Sequence, residues 1–182
     1  MAGINRALST NEFKSIVNLG LNIKCVFISH QKSDTEYCKK IVDYLINAGI
    51  DVYFDEFDND LKFYRQTNNP TGIVLSIKKG INMSSHMLCV ISPKTLYSKW
   101  VPWEIGYGHD STIQGAITIK GIKDEDLPDY LKTTNILRGT KSLNNFIQSV
   151  TGQSEYILEN YNLIKKHTTL SHPLDDVLDW NQ

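Results

Sequence analysis

Residues 24–54 read KCVFISHQKSDTEYCKKIVDYLINAGIDVYF, and the fold follows from this segment. Lys24 to Ile28 is a compact apolar run bounded by turn residues, the pattern of a strand buried on both faces. Ser33 and Glu36 stand in capping-box register. Tyr37, Cys38, Ile41, Val42 and Leu45 then recur at helical spacing up to Gly49. Ile50 to Phe54 is a second strand. A strand, a short helix and a strand in this order predict a parallel pair joined by a right-handed crossover.

The same alternation continues outward. Met87 to Ser92 (MLCVIS) reads as a third buried strand stopped by Pro93, Ala116 to Ile122 (AITIKGI) as a fourth, and Asn135 to Arg138 (NILR) as a fifth. Between the second and third strands, Asp55 to Gly72 lacks periodicity and is expected to be a long loop over the functional face. Ile73 to Ile81 is a short helix ending near Gly80. Ser142 is expected to cap a helix that runs through Val150 to Gly152. Upstream, Ser9 and Glu12 open a helix with Phe13, Ile16 and Val17 on one side. Downstream, Tyr156, Ile157, Tyr161 and Ile164 predict a helix over Ser154 to Lys166, and Leu174, Val177, Leu178 and Trp180 dock a final turn. The predicted fold is α/β: a flavodoxin-like, open, doubly wound parallel five-stranded sheet of order 2-1-3-4-5, with extra N- and C-terminal helices. The organisation is a helical extension at 1–22, one domain at 23–152 and a second helical extension at 153–182.

Composition narrows the function. The chain has 182 residues and a net charge of -1, enough for one well-filled core but without the basic footprint of a nucleic-acid or anionic-membrane binder. The three cysteines are scattered and form no C-x-x-C pair, so neither a disulfide framework nor a thiolate zinc site is expected, and a reducing cytoplasm is the expected compartment. No run has the length of a membrane span. The five histidines show no metal-ligand spacing, and no metal is expected.

In a 2-1-3-4-5 sheet the crevice opens at the carboxyl ends of the first and third strands, which are Ser29 to Asp34 and Ser92 to Glu104. The second of these runs into SKWVPWEIGYG at 98–108. Pro102 is tolerated only in a first helical turn, so the helix begins close to Ser98, and the spacing of four sets Trp100 and Glu104 on one face. At that helix start the macrodipole favours an ionised Glu104. A packed helix cap is the plainer reading of the same residues. Trp103 is read as core, with exclusion of water from the site as its alternative. The acids Asp55, Glu56, Asp58 and Asp60 are expected to form a solvated surface, and Arg65 to meet solvent, a phosphate or a neighbouring subunit.

Four blocks in order, VFISHQKSD at 26–34, VYFD at 52–55, CVISP at 89–93 and SKWVPWE at 98–104, resemble the TIR domain family over about Ile23 to Val150. The likeness is greatest to stand-alone bacterial members. That resemblance implies an NAD+ glycohydrolase or ADP-ribosyl cyclase, with NAD+ as substrate and no separate cofactor. Glu104 falls on the family's catalytic glutamate and Trp100 on the aromatic beside the bound nucleotide. Ser29, with His30 as its neighbour, falls where the nicotinamide and ribose are lined, and Asp55 at the start of the BB loop used in self-association. Relatives in antiphage systems such as Thoeris make signalling nucleotides that activate a separate effector, which implies a homo-oligomer with an effector partner. The Asn69-Pro70-Thr71-Gly72 step lies in a longer insertion than receptor-type members carry, so loop contacts do not transfer by position. A non-catalytic adaptor module is the alternative. A phosphoacceptor receiver is weaker, since Ser29-His30 and Ser92-Pro93 stand where that class needs acids.

Overall fold

The structure, a computed structural model, describes residues 2–8 and 24–179. Five parallel strands, β1 (Cys25–Ser29), β2 (Asp51–Tyr53), β3 (His86–Ile91), β4 (Ile113–Thr118) and β5 (Asn135–Leu137), form one sheet of order β2-β1-β3-β4-β5. The predicted topology holds. The helix expected between Ser9 and Gly20, and Trp180, lie outside the described residues. Among the described residues no helix is long and apolar enough to cross a membrane.

The sheet is covered on both faces because its side chains alternate. Val26, Ile28, Val52 and Phe54 point into one cluster, with α1 (Thr35–Asn47) and a later helix packed over them. Phe27, Tyr53, Met87, Cys89 and Ile91 point into the other. Every residue of β1 and β3 is buried, which is why each reads as an unbroken apolar run.

The stretch expected to be a loop after β2 is largely helical. A short turn at Asp55–Phe57 leads into α2 (Asn59–Gln66), and α3 (Pro70–Asn82) follows. Asp58 is the N-cap of α2: its Oδ1 accepts from the Leu61 amide at 3.1 Å, and its Oδ2 accepts from the Tyr53 hydroxyl. Asn69 caps α3 by accepting from the Gly72 amide at 3.0 Å, with Pro70 in the first turn. Gly80 does not stop α3. A Cβ there would meet the Tyr53 ring at 2.5 Å, so glycine lets the helix lie against the sheet.

Asp58→Ala should cost about 2–4 kcal/mol, the sum of a lost cap and a buried Tyr53 hydroxyl left without its acceptor. Urea denaturation of Asp58→Ala, Tyr53→Phe and the double variant measures this. Removing the hydroxyl should recover part of the loss, and additive single effects would show the two groups to be uncoupled.

The remaining helices are α4 (Val101–Gly108), α5 (Thr140–Thr151) and α6 (Glu155–Asn160). β4 begins earlier than its apolar run suggested, and the chain turns at Gly121, whose φ is +88°. α6 is shorter than predicted. Asn162, at φ +54°, ends its last turn in the left-handed conformation, and the rest is irregular. That irregular tail is part of the core, because Leu174, Val177 and Leu178 are fully buried against α5. Tyr44 clamps it: its hydroxyl donates to Asn144 Oδ1 at 2.9 Å and accepts from the Lys165 amide at 2.9 Å.

Candidate active site

The carboxyl ends of β1 and β3 meet one end of α4. Ser98 sets the start of that helix, its hydroxyl accepting from the amides of Trp100 at 3.3 Å and Val101 at 3.2 Å. Pro102 sits in the first turn, as its missing amide donor requires. Trp100 is the last residue before the helix and Glu104 lies one turn on, with its amide donating to the Trp100 carbonyl at 2.8 Å. A second tie fixes the two strand ends together, the Ser92 hydroxyl donating to buried Asp34.

Glu104 is 5% exposed, and its Oε2 accepts a 2.5 Å hydrogen bond from Ser29 Oγ. Burial pushes its pKa up to about 8. The Ser29 hydrogen bond pulls it down, the neighbouring Asp55 charge pushes it up, and Arg65 pulls it down. The expectation of an ionised glutamate at a helix start is therefore corrected. The dipole contributes at most about 2 kcal/mol, whereas full burial shifts a carboxyl by several pK units at about 1.4 kcal/mol each.

The opposite wall comes from the end of β2. Asp55 is 6% exposed, and its Oδ2 accepts from Arg65 Nη2 at 3.1 Å. Burial raises its pKa, while its contacts with His30 and Arg65 pull it down. Asp55 and Asp58 are thus structural acids of the interior, not members of a solvated surface. Their burial depends on α2, which brings Arg65 back over the turn at Asp55–Phe57. His30 lies under this wall, packed on the Phe54 ring with centroids 4.9 Å apart. Its Nδ1 is 3.7 Å from Asp55 Oδ1, and its Nε2 is 3.8 Å from Glu56 Oε1.

Between the walls is a cavity of about 200 Å³, lined among others by His30, Asp55, Glu56, Arg65, Trp100 and Glu104. Four of the five residues expected at the site line it. Ser29 does not; it sits behind Glu104, 1% exposed, and acts on the cavity through that carboxyl. Trp103 turns the other way, stacked on Tyr107 at 5.5 Å and 12°, so it packs against the domain and does not line the cavity. Glu56, expected on a solvated surface, and Arg65, whose role the sequence left open, also line it, and the cap at Asp58 is the signal that predicts the helix carrying Arg65.

Chemically, the cavity offers two buried acids, Glu104 and Asp55, an indole 40% exposed, and Glu56 with Arg65 and Lys32. An indole face and carboxylates suit a flat cationic ring, and the two cations suit an anionic group attached to it. A volume below the roughly 300–1,000 Å³ of sites that enclose a drug-sized ligand admits one end of a longer molecule. A family model described as TIR domain matches residues 26–146. No curated protein matches the chain.

Proposed function

We propose, because this chain belongs to the TIR domain family, that it cleaves the bond between nicotinamide and ribose in NAD+. The supporting observation is Glu104, a buried carboxyl held by Ser29 at 2.5 Å in a cavity shared with Trp100. The C–N bond breaks with its electron pair passing to the ring nitrogen, so nicotinamide leaves neutral and needs no general acid. Ionised Glu104 offsets the positive charge that grows on the ribose, a preorganised electrostatic role. This differs from O-glycoside hydrolysis, where a second carboxyl protonates the leaving oxygen.

The ribosyl cation is captured by water, giving ADP-ribose, or by a nucleophile of the same molecule, giving a cyclic isomer. The product would serve as a nucleotide signal in bacterial antiphage defence, made in the cytoplasm and read by a separate effector. The ADP half projects from the cavity onto open surface, and TIR–TIR contacts between copies of the chain would complete its binding.

The test is incubation of concentrated protein with NAD+, followed by chromatography and mass spectrometry. Stoichiometric nicotinamide with ADP-ribose or an isomer of cyclic ADP-ribose is expected. The rival reading is a non-catalytic adaptor, which Phe63, 58% exposed on α2, favours as a docking surface. Specific capture of a second TIR protein without turnover at any concentration would establish it instead.

A further inference from the structure

We propose that His30, Asp55 and Glu56 form a binding site for one divalent transition-metal ion on the wall of the cavity. One ligand atom from each, an imidazole nitrogen and two carboxylate oxygens, lie within 4.8 Å of one another. Bond lengths of about 2.0–2.2 Å place such ligands about 3–4 Å apart, so small side-chain adjustments close the shell.

Proximity of acids alone would not establish a site. The second observation is hydrogen bonding: His30 Nε2, Asp55 Oδ1 and Glu56 Oε1 are buried and have no hydrogen-bond partner. The side chains of His30 and Asp55 are 3% and 8% exposed, so water does not satisfy them freely. Buried polar atoms without partners are costly and call for an explanation.

The neighbouring contacts indicate what kind of partner is missing. His30 Nδ1 lies 3.4 Å from the Ile28 carbonyl oxygen, and the tautomer protonated there turns the Nε2 lone pair toward Glu56 Oε1. Two acceptors then face each other; Arg65 Nη1, 3.9 Å from Glu56 Oε1, lies beyond hydrogen-bond reach, and a cation held between the acceptors relieves the repulsion. Asp55 divides its oxygens, Oδ2 to Arg65 and Oδ1 toward His30. Arg65 thereby orients the ligand from behind, as groups outside a coordination shell commonly do. One imidazole with two carboxylates suits Mn²⁺ or Zn²⁺ better than Mg²⁺ or Ca²⁺, which prefer oxygen alone. Three protein ligands leave coordination positions open to the cavity. No local sequence pattern marks the site, because His30 comes from the end of β1 and the acids from the end of β2.

This site stands on geometry independent of the NAD+ reading, and its test needs no nucleotide. The chelator-treated full chain is titrated with Mn²⁺ alone, and free Mn²⁺ is followed by its paramagnetic resonance signal. One ion per chain is expected, with affinity falling about tenfold or more in Glu56→Gln and in His30→Gln and unchanged in His109→Gln. Glu56→Gln is isosteric at a partly exposed residue, so it decides the matter should His30→Gln fail to fold. Absence of bound Mn²⁺ at millimolar concentration would overturn the proposal. So would equal binding by Glu56→Gln.

Discussion

Glu104→Gln should lower kcat/KM for nicotinamide release by about a thousandfold or more while leaving the fold intact, since loss of even one preorganised electrostatic group costs about 10²–10³. Among the residues lining the cavity, Glu104 is the acid hydrogen-bonded to β1 through Ser29, and its charge is the quantity removed. Glutamine keeps the shape and an oxygen for the Ser29 hydroxyl, so position is preserved and charge is not. Because burial raises the Glu104 pKa to about 8, the neutral amide resembles the carboxyl that the unliganded protein already holds near neutrality. Chromatographic assay of nicotinamide decides. Equal rates from the two proteins would take the chemistry away from this side chain.

The same substitution has a stability signature of known sign. The folded pKa of Glu104 lies above the unfolded value, so its contribution is fully present below about pH 4.5 and is lost as pH rises through about 8. Across that window the unfolded chain releases its proton and the folded chain keeps it. Glu104→Gln removes this loss, and its stability relative to the parent should rise on the order of 1 kcal/mol per pH unit through the window. Urea denaturation at several pH values measures it. Parallel curves for the two proteins would place the carboxyl in contact with water.

The sheet was legible in the sequence because β1 and β3 are buried along their whole length, leaving apolar runs with sharp ends. β4 was legible only in its second half, since Ile113 is 66% exposed and Gln114 and Gly115 interrupt the run. α2 escaped periodicity for a simple reason: Leu61 is its one fully buried side chain, so no apolar stripe repeats. Its cap at Asp58, and the Asn69-Pro70 start of α3, were the local signals present. Once those helices form, Asp55 and Asp58, expected on a surface, become interior, and α2 brings Arg65 over Asp55.

At the site, sequence spacing set Trp100 and Glu104 on one face, and both line the cavity. It could not give the charge state, which is set first by burial and then by Ser29 and Asp55, brought in from the ends of β1 and β2. The pairing of His30 with Asp55 and Glu56 depends likewise on β1 and β2 lying side by side in the sheet. No local pattern records that neighbourhood.

The pH profile is where that buried charge state meets the chemistry. If ionised Glu104 is the working form, kcat/KM should rise about tenfold per pH unit on the acid side and level off near pH 8, because kcat/KM reports the free enzyme's ionisation. From roughly pH 6 to the plateau the gain is about a hundredfold. NAD+ brings a cationic ring beside the carboxyl, which favours the ionised form, so the midpoint of the kcat profile should lie lower than that of kcat/KM. Ser29→Ala separates positioning from packing. The hydroxyl stabilises the carboxylate, and its removal should move the kcat/KM midpoint further upward while the plateau rate falls less. A purely structural role for Ser29 would lower the rate equally at every pH. A kcat/KM that stays level from acid to alkaline conditions would mean that the ionised carboxylate is not the species that offsets the charge growing on the ribose.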